Sequence, residues 1–379
     1  MIFYKNEQQK NYMEKLGKLT ERFSERAEAL DESGAFPFDN IQELKDFGYT
    51  RLTLPKEYGG LGGGLYDFLL GQEKIAMACG PTSLAIGWHV GIVHQLAEKR
   101  HWKPDVLDEV FHQVADGALL NSAATEAQTG SPTRGGRPGT SARREGNHWI
   151  LSGRKTYTTL SPVLDLIQVS AWVEEENGVG WFLVHRDQEG VSFEDTWDMI
   201  SMQGTASNDL ILDQVQVEDR YFVEKPGKRK TLGEGWLLHI PACYIGIAGA
   251  ARNYALKFAR EYSPNSLNGP IRDLPNVQRL VGEMELEYLQ ARHLLYSVAD
   301  KWEEGSMREE LARELGAVKT SVTNTSLSIV DKAMRIVGAK SLQRKNPLQR
   351  YYRDVRAGLH NPPMDDTSYS VLAKTVLYE

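Results

Sequence analysis

The chain has 379 residues, 41% hydrophobic and 25% charged, proportions that suit a soluble protein of two or three closely packed units. A formal net charge of -7 excludes a basic field for gathering nucleic acid, and no apolar run nears the ~20 residues of a membrane span. Cys79 and Cys243 lie far apart in small or apolar surroundings, which reads as two buried thiols rather than a disulfide framework or a metal set.

The N-terminus has no basic segment followed by an apolar stretch, so the expected location is cytoplasmic. From Asn6 to Val114 the apolar residues recur at helix spacing. Gln8 to Leu30 predicts a charged amphipathic helix. "DNIQELKDFGYTRL" predicts a second, with an Asp-Asn cap at its start and Gly48 at its end. A glycine-rich loop, "LPKEYGGLGGG", leads to two further helical segments, "LYDFLLGQEKIAMAC" and "SLAIGWHVGIVHQLA".

Between Ala118 and Val223 the pattern changes to short runs rich in Val, Ile, Thr and aromatics, separated by Gly, Asn and Asp turns. Gly146-Asn147 ahead of "HWILSG" is a hairpin signal. An antiparallel β unit, sandwich or barrel, is expected here. The basic stretch "GKRKTLG", Gly227 to Gly233, reads as a solvated loop. From Thr231 onward four long helical segments, each ended by Gly or Pro, predict a bundle. The expected class is therefore α+β, with a helical domain at 1–117, a β domain at 118–228 and a four-helix bundle at 229–379.

Five local motifs in this order resemble the acyl-CoA dehydrogenase superfamily over essentially the whole chain: "LPKEYGGLG", "AATEAQTGSPT", "LSGRKTYTT", "MQGTASNDLILDQVQV" and "AMRIVGAKSLQRKNPLQRYYRDVRA". The resemblance implies a flavoenzyme that binds FAD, with FMN as the alternative. It also implies a dimer or tetramer, a small-molecule substrate such as an acyl-CoA, and a flavin reductase or an electron-transfer flavoprotein as redox partner. Ser122, Ala124 and Thr125 would face the flavin's pyrimidine edge. Gly130 and Ser131 would meet a phosphate, because a glycine leaves backbone N–H groups unshielded and a serine adds a donor. Pro132 stands where the family usually has an acid. Tyr157 would pack on the ring and Thr159 would hydrogen-bond near its N5, with Thr158 offering a further hydroxyl in the same strand. Arg335, Gly338 and Ala339 resemble the loop that reaches a neighbouring subunit's cofactor. Tyr262 stands where the family often has a diphosphate-binding Arg, and Arg260 is the nearby substitute.

The family's catalytic glutamate is missing. Removal of an α-proton needs a base on the face of the substrate opposite the flavin. Counting from Arg353 puts Pro362 at one family position, and alignment on "YIGIAGA" puts Trp236 at the other; neither accepts a proton. Asp365, Asp366 or Glu234 could substitute, although Asp365 and Asp366 also read as helix N-terminal residues. The superfamily's flavin-dependent monooxygenases, of the desulfurisation type, are similar in carrying a His-Asn/Asp-Pro segment after the Arg-Asp and a His in the first domain. His360 and His89 match those places, and an imidazole titrating near neutrality could protonate a peroxide. The sequence thus leaves three readings: oxygen transfer with His360 and His89, towards which it leans; acyl-CoA dehydrogenation with a substitute base; and a flavin-binding relative without turnover.

Overall fold

The computed structural model describes residues 3–132, 135–227 and 234–378, so Lys228 to Gly233 of the basic stretch lie outside the described residues. The first unit is helical: α1 (Glu7–Ser33), α2 (Phe38–Phe47), α3 (Leu65–Ala78), α4 (Gly80–Lys99) and α5 (Pro104–Ala115). In α1, Asn6 caps the first turn by accepting the Gln9 N–H, and Met13, Leu16, Thr20, Phe23 and Ala27 form one buried stripe at spacings of three and four. α2 starts one residue ahead of the expected Asp-Asn cap, with no side-chain cap at Pro37. Asn40 is spent elsewhere: it is fully buried, donates to Thr82 Oγ1 and accepts from Arg26. Gly48 ends α2 at φ +82, a conformation that favours glycine.

The second unit contains β1 (Leu120–Ala123), β2 (Ser141–Glu145), β3 (His148–Thr158), β4 (Leu166–Val173), β5 (Gly178–His185), β6 (Val191–Glu194), β7 (Asn208–Glu218) and β8 (Phe222–Glu224). They form one sheet in the order β6-β7-β3-β2-β4-β5-β8, with β1 beside β4. β2 and β3 make the expected hairpin, Glu145 facing His148 across Gly146-Asn147. The sheet is not wholly antiparallel, because β1 and β2 both run parallel to β4. A long excursion separates β1 from β2, and that segment carries the Thr-Glu…Gly-Ser motif.

The third unit is the bundle: α6 (His239–Glu261), α7 (Pro275–Glu304), the short α8 (Arg308–Leu311), α9 (Glu314–Val337) and α10 (Pro347–Arg356), followed by α11 (Asp365–Tyr378). α6 is buried on all sides from His239 to Ala251, as befits a central helix. Glu73 of α3 joins the two helical units: it is 4% exposed, accepts from Tyr288 and Tyr296, and pairs with Arg292 at 2.9 Å. Cys79 and Cys243 are both buried free thiols. Among the described residues no helix is long and apolar enough to cross a membrane, and no cluster of His, Cys, Asp and Glu is placed to hold a metal.

Candidate active site

The turn after β1 is built around one buried carboxylate. Glu126 and Gly130 exchange backbone hydrogen bonds of 3.0 and 2.9 Å, and Gly130 closes the loop at φ +72. Glu126 accepts from Lys155 Nζ at 2.7 Å, from the hydroxyls of Thr140 and Thr129, and from the N–H groups of Thr140 and Gly139. Burial would raise its pKa; the Lys155 ammonium and the hydroxyl donors outweigh burial and hold it at about 2. Lys155 is wholly buried, and a further bond to Ser170 Oγ at 3.2 Å fixes it in the sheet. Charge-assisted bonds thus hold the turn that ends at Ser131 and present its backbone. Thr125 is tied in as well, its carbonyl accepting the Thr156 N–H at 2.8 Å, while the Ala124 carbonyl accepts Ser170 Oγ.

Beside this turn β3 leaves its register with β7. Tyr157 takes φ +59, and its ring is 52% exposed against the edge of Trp197. Thr158 is fully buried and its hydroxyl has no partner. Thr159 heads a chain of hydroxyls: its Oγ1 lies 2.7 Å from Ser207 Oγ, which lies 2.9 Å from Thr205 Oγ1, which donates to the Met202 carbonyl. Asn121 of β1 donates to the Thr159 carbonyl and accepts the Ser122 N–H, so it stitches the two halves of the site together. Sequence reasoning missed Asn121, Thr205 and Ser207, whose partners lie on other elements.

The terminal Arg-Asp supports this edge from behind. Asp354 accepts the Met202 N–H at 2.7 Å, and Arg353 donates to the Ile200 carbonyl and pairs with Asp31 of α1. Burial raises Asp354 to about 6, opposed by the Met202 N–H.

The two histidines lie in different settings. His89 is wholly buried in α4: Nε2 is 3.0 Å from the Thr50 carbonyl, and Nδ1 accepts the Leu120 N–H at 3.0 Å. Burial lowers its pKa to about 4, so it is neutral, with its one proton on Nε2. His360 is exposed, at the end of a short 3-10 helix, Ala357–His360. The neighbouring Asn361 accepts from the buried Tyr244 hydroxyl.

Of the carboxylates that could replace the missing base, Asp365 and Glu234 are engaged and Asp366 is exposed. Asp365, in the first turn of α11, faces the buried Lys319 at 3.5 Å and accepts from Asn324 at 2.8 Å. Asp366 is exposed in the same turn. Glu234 accepts from Gln95, Lys99 and Trp236. Arg260, Arg335, Gly338 and Ala339 are exposed at the C-terminal ends of α6 and α9. The 23 residues of α6 span about 35 Å, and among the described residues no hydrogen bond, ion pair or ring contact joins these four to the Tyr157–Thr159 edge.

Models of the acyl-CoA dehydrogenase N-terminal, middle and C-terminal domains match residues 6–103, 121–215 and 238–361. Bacillus subtilis YdbM, which carries an acyl-CoA dehydrogenase name, is 54% identical over 98% of both chains. The chain belongs to the acyl-CoA dehydrogenase family. Within this acyl-CoA dehydrogenase family, the 3-(aryl)acrylate reductase of Clostridium sporogenes is 29% identical over 96% of this chain and 98% of its own. Megasphaera elsdenii butyryl-CoA dehydrogenase shares the fold at a TM-score of 0.90, with 20% identity and full coverage of both chains. TdsC from Paenibacillus, solved with FMN and indole, shares it at 0.87, with 20% identity and 97% of each chain. Members of the family and its structural neighbours bind FAD or FMN, and the residues here fit such a ring: an unpaired buried hydroxyl at Thr158, a bared Tyr157 and a rigid turn at Gly130.

Proposed function

We propose that this chain is a flavin-dependent oxidoreductase acting at the α,β-carbons of an acyl thioester. The observation that carries the reading is the Tyr157–Thr159 edge, where β3 breaks its register, bares an aromatic ring and buries an unpaired hydroxyl beside the Glu126-clamped turn. Buried polar groups are almost always paired, so an unpaired one at a rigid edge points to a bound partner. In this reading Ser122, Ala124, Thr125 and Thr158 hold the ring's polar rim, Gly130 and Ser131 meet its phosphate, and Thr159 is fixed through Ser207. The flavin, FAD or FMN, supplies the hydride acceptor or donor when bound, and in this reading the α-proton passes to or from Asp366, the exposed carboxylate of the first turn of α11.

The carbon chemistry is favoured over oxygen transfer by His89. Both of its nitrogens are bonded to backbone, so it positions α4 against β1 and has no free lone pair or proton for a peroxide. The relatives named for acyl-CoA and arylacrylate chemistry support the same choice. The family pattern extends to a redox partner and an oligomer in which Arg260, Arg335, Gly338 and Ala339 of one copy serve a neighbour's cofactor, a cytoplasmic homotetramer being the arrangement we infer.

An anaerobic titration tests the reading. Protein reconstituted with FAD or FMN is mixed with a panel of acyl-CoAs while the flavin absorbance is followed. Bleaching by an acyl-CoA, retained in His360→Ala, is expected. Oxygenation of a substrate only when a reductase supplies reduced flavin, without any bleaching, would overturn it in favour of the monooxygenase reading.

A further inference from the structure

His239, the first residue of α6, is fully buried, and neither ring nitrogen has a hydrogen-bond partner. Among the described residues it is the one buried side chain with both of its polar atoms unpaired. Three aromatic rings surround it. Phe68 and Trp236 each stack on it with centroids at 5.8 Å, and Trp88 meets it edge-on at 4.9 Å. A phenylalanine would fill such a box without leaving two polar atoms unpaired, so packing alone does not account for an imidazole.

The two nitrogens are not equivalent. A methyl group on Gly87 would stand 2.4 Å from Nδ1, so Nδ1 is packed against α4. Gln72 Oε1, which accepts from Ser83, shares that corner with Nδ1, both lying within 2.5 Å of where the methyl would stand. Nδ1 thus has α4 and the Gln72 oxygen beside it, and the unpaired Nε2 is the nitrogen assigned to a ligand. Burial lowers the pKa of the imidazole to about 3, which keeps it neutral throughout the working range, with a proton to share and no charge to solvate. Trp88 is the half-buried wall of the box, and the next residue, His89, bonds the backbone of Leu120 at the start of β1, the strand that carries Ser122.

We propose that His239 is a catalytic residue that donates a hydrogen bond from Nε2 to the carbonyl oxygen of the acyl thioester. The inference rests on the acyl reading above and adds the group that polarises the substrate. A neutral imidazole aimed at a carbonyl in a dry box draws electron density onto the oxygen and acidifies the adjacent α-carbon, whose proton goes to the carboxylate base of the acyl reading. The aromatic walls hold no charged side chain, so they suit a flat, uncharged acyl group and exclude water from the bond.

The test uses holoenzyme and cinnamoyl-CoA labelled with 13C at the thioester carbon. Binding is followed by tryptophan fluorescence and polarisation by the carbonyl resonance. In the wild type the resonance moves downfield on binding; in His239→Phe that displacement is lost while the melting temperature holds or rises, and His239→Gln, which keeps a donor, recovers part of it. If His239→Phe weakens binding at least tenfold with its melting temperature intact, the contact is also supported. Should that variant melt well below the wild type, the Gln variant decides, and a resonance unmoved by it would count against the role. The same downfield displacement in His239→Phe as in the wild type overturns the proposal and leaves the acyl reading standing. Failure of the wild type to bind any acyl-CoA overturns the acyl reading itself.

Discussion

Asp354 accepts the backbone N–H of Met202 at 2.7 Å, across 152 residues of sequence and from a position only 3% exposed. Its carboxyl is raised from 3.8 to about 6, by burial first and further by Asp31, against the lowering pull of the Met202 N–H, Arg350 and Arg353. A folded pKa above the unfolded one means that the native state binds the proton more tightly. The contribution of Asp354 to stability is therefore complete below pH 3.8 and is lost as the pH rises through about 6. That difference corresponds to roughly 3 kcal/mol. Asp354→Asn keeps an oxygen for the Met202 N–H and carries no charge. The difference in melting temperature between wild type and variant is expected to swing in favour of the wild type as the pH falls from 8 to 5. Parallel profiles would show that the carboxyl does not titrate in this range.

The sign is opposite for His89. Its folded pKa of about 4 lies below the ordinary 6.5, so its contribution is present above 6.5 and is lost as the pH falls through 4. His89→Phe leaves the Leu120 N–H and the Thr50 carbonyl unpaired and should cost about 1–3 kcal/mol at pH 7. The deficit should shrink towards pH 4. Chemical denaturation at three pH values measures both effects.

Removing one member of the Glu126–Lys155 pair should be severe. Lys155→Met strands a buried carboxylate, with an expected loss of roughly 3–5 kcal/mol. The turn leading to Ser131 should loosen with it, so retained flavin falls in proportion. Lys155→Met combined with Glu126→Gln should be milder than the single change. A double variant that is the sum of its parts would mean that the two side chains do not act as a pair.

Ser207→Ala cuts the hydroxyl chain between Thr159 and Thr205. A loss of about 1–3 kcal/mol in flavin affinity is expected, read by fluorescence titration of the reconstituted protein, with a smaller effect on melting. An unchanged dissociation constant would place Thr159 away from the cofactor.

Gly87→Ala sets a methyl against His239 Nδ1 and Gln72 Oε1, at 2.4 and 2.5 Å. Overpacking of this kind costs about 1–3 kcal/mol, and the melting temperature should fall accordingly. The tryptophan emission from Trp88 and Trp236 should change with it, because the imidazole between them must move.

The order of helices, sheet and helices was legible because each unit has its own apolar period, 3.6 or 2, carried by local residues. The hairpin at Gly146-Asn147 and the stop at Gly48 were legible for the same reason, since turn chemistry is local. The parallel pairing of β1 and β2 with β4 was not, because register between distant strands leaves no mark on either strand alone. Asn40 shows how a local rule yields: a residue suited to cap α2 was recruited by Thr82 and Arg26. The site divides in the same way. A Thr-Glu…Gly-Ser turn can be recognised in a linear motif, whereas Asn121, Thr205 and Ser207 gain meaning only from partners on other elements. His239 sits in the apolar run "WLLHIPACYIG", where its spacing reads as a packed helix, and only its two unpaired nitrogens single it out.

The clasp between Arg353 and Asp31 joins residues 322 apart, and it fixes Ile200 on the way. A chain emerging from the ribosome at roughly 5–20 residues per second has its β unit complete well before residue 353 appears. During that interval the segment from Ile200 to Thr205 has no anchor from α10, and the hydroxyl chain to Thr159 lacks its backing. The Tyr157–Thr159 edge is thus backed only after α10 has been made. A chain without α10 would have a formed sheet and an unset Tyr157–Thr159 edge.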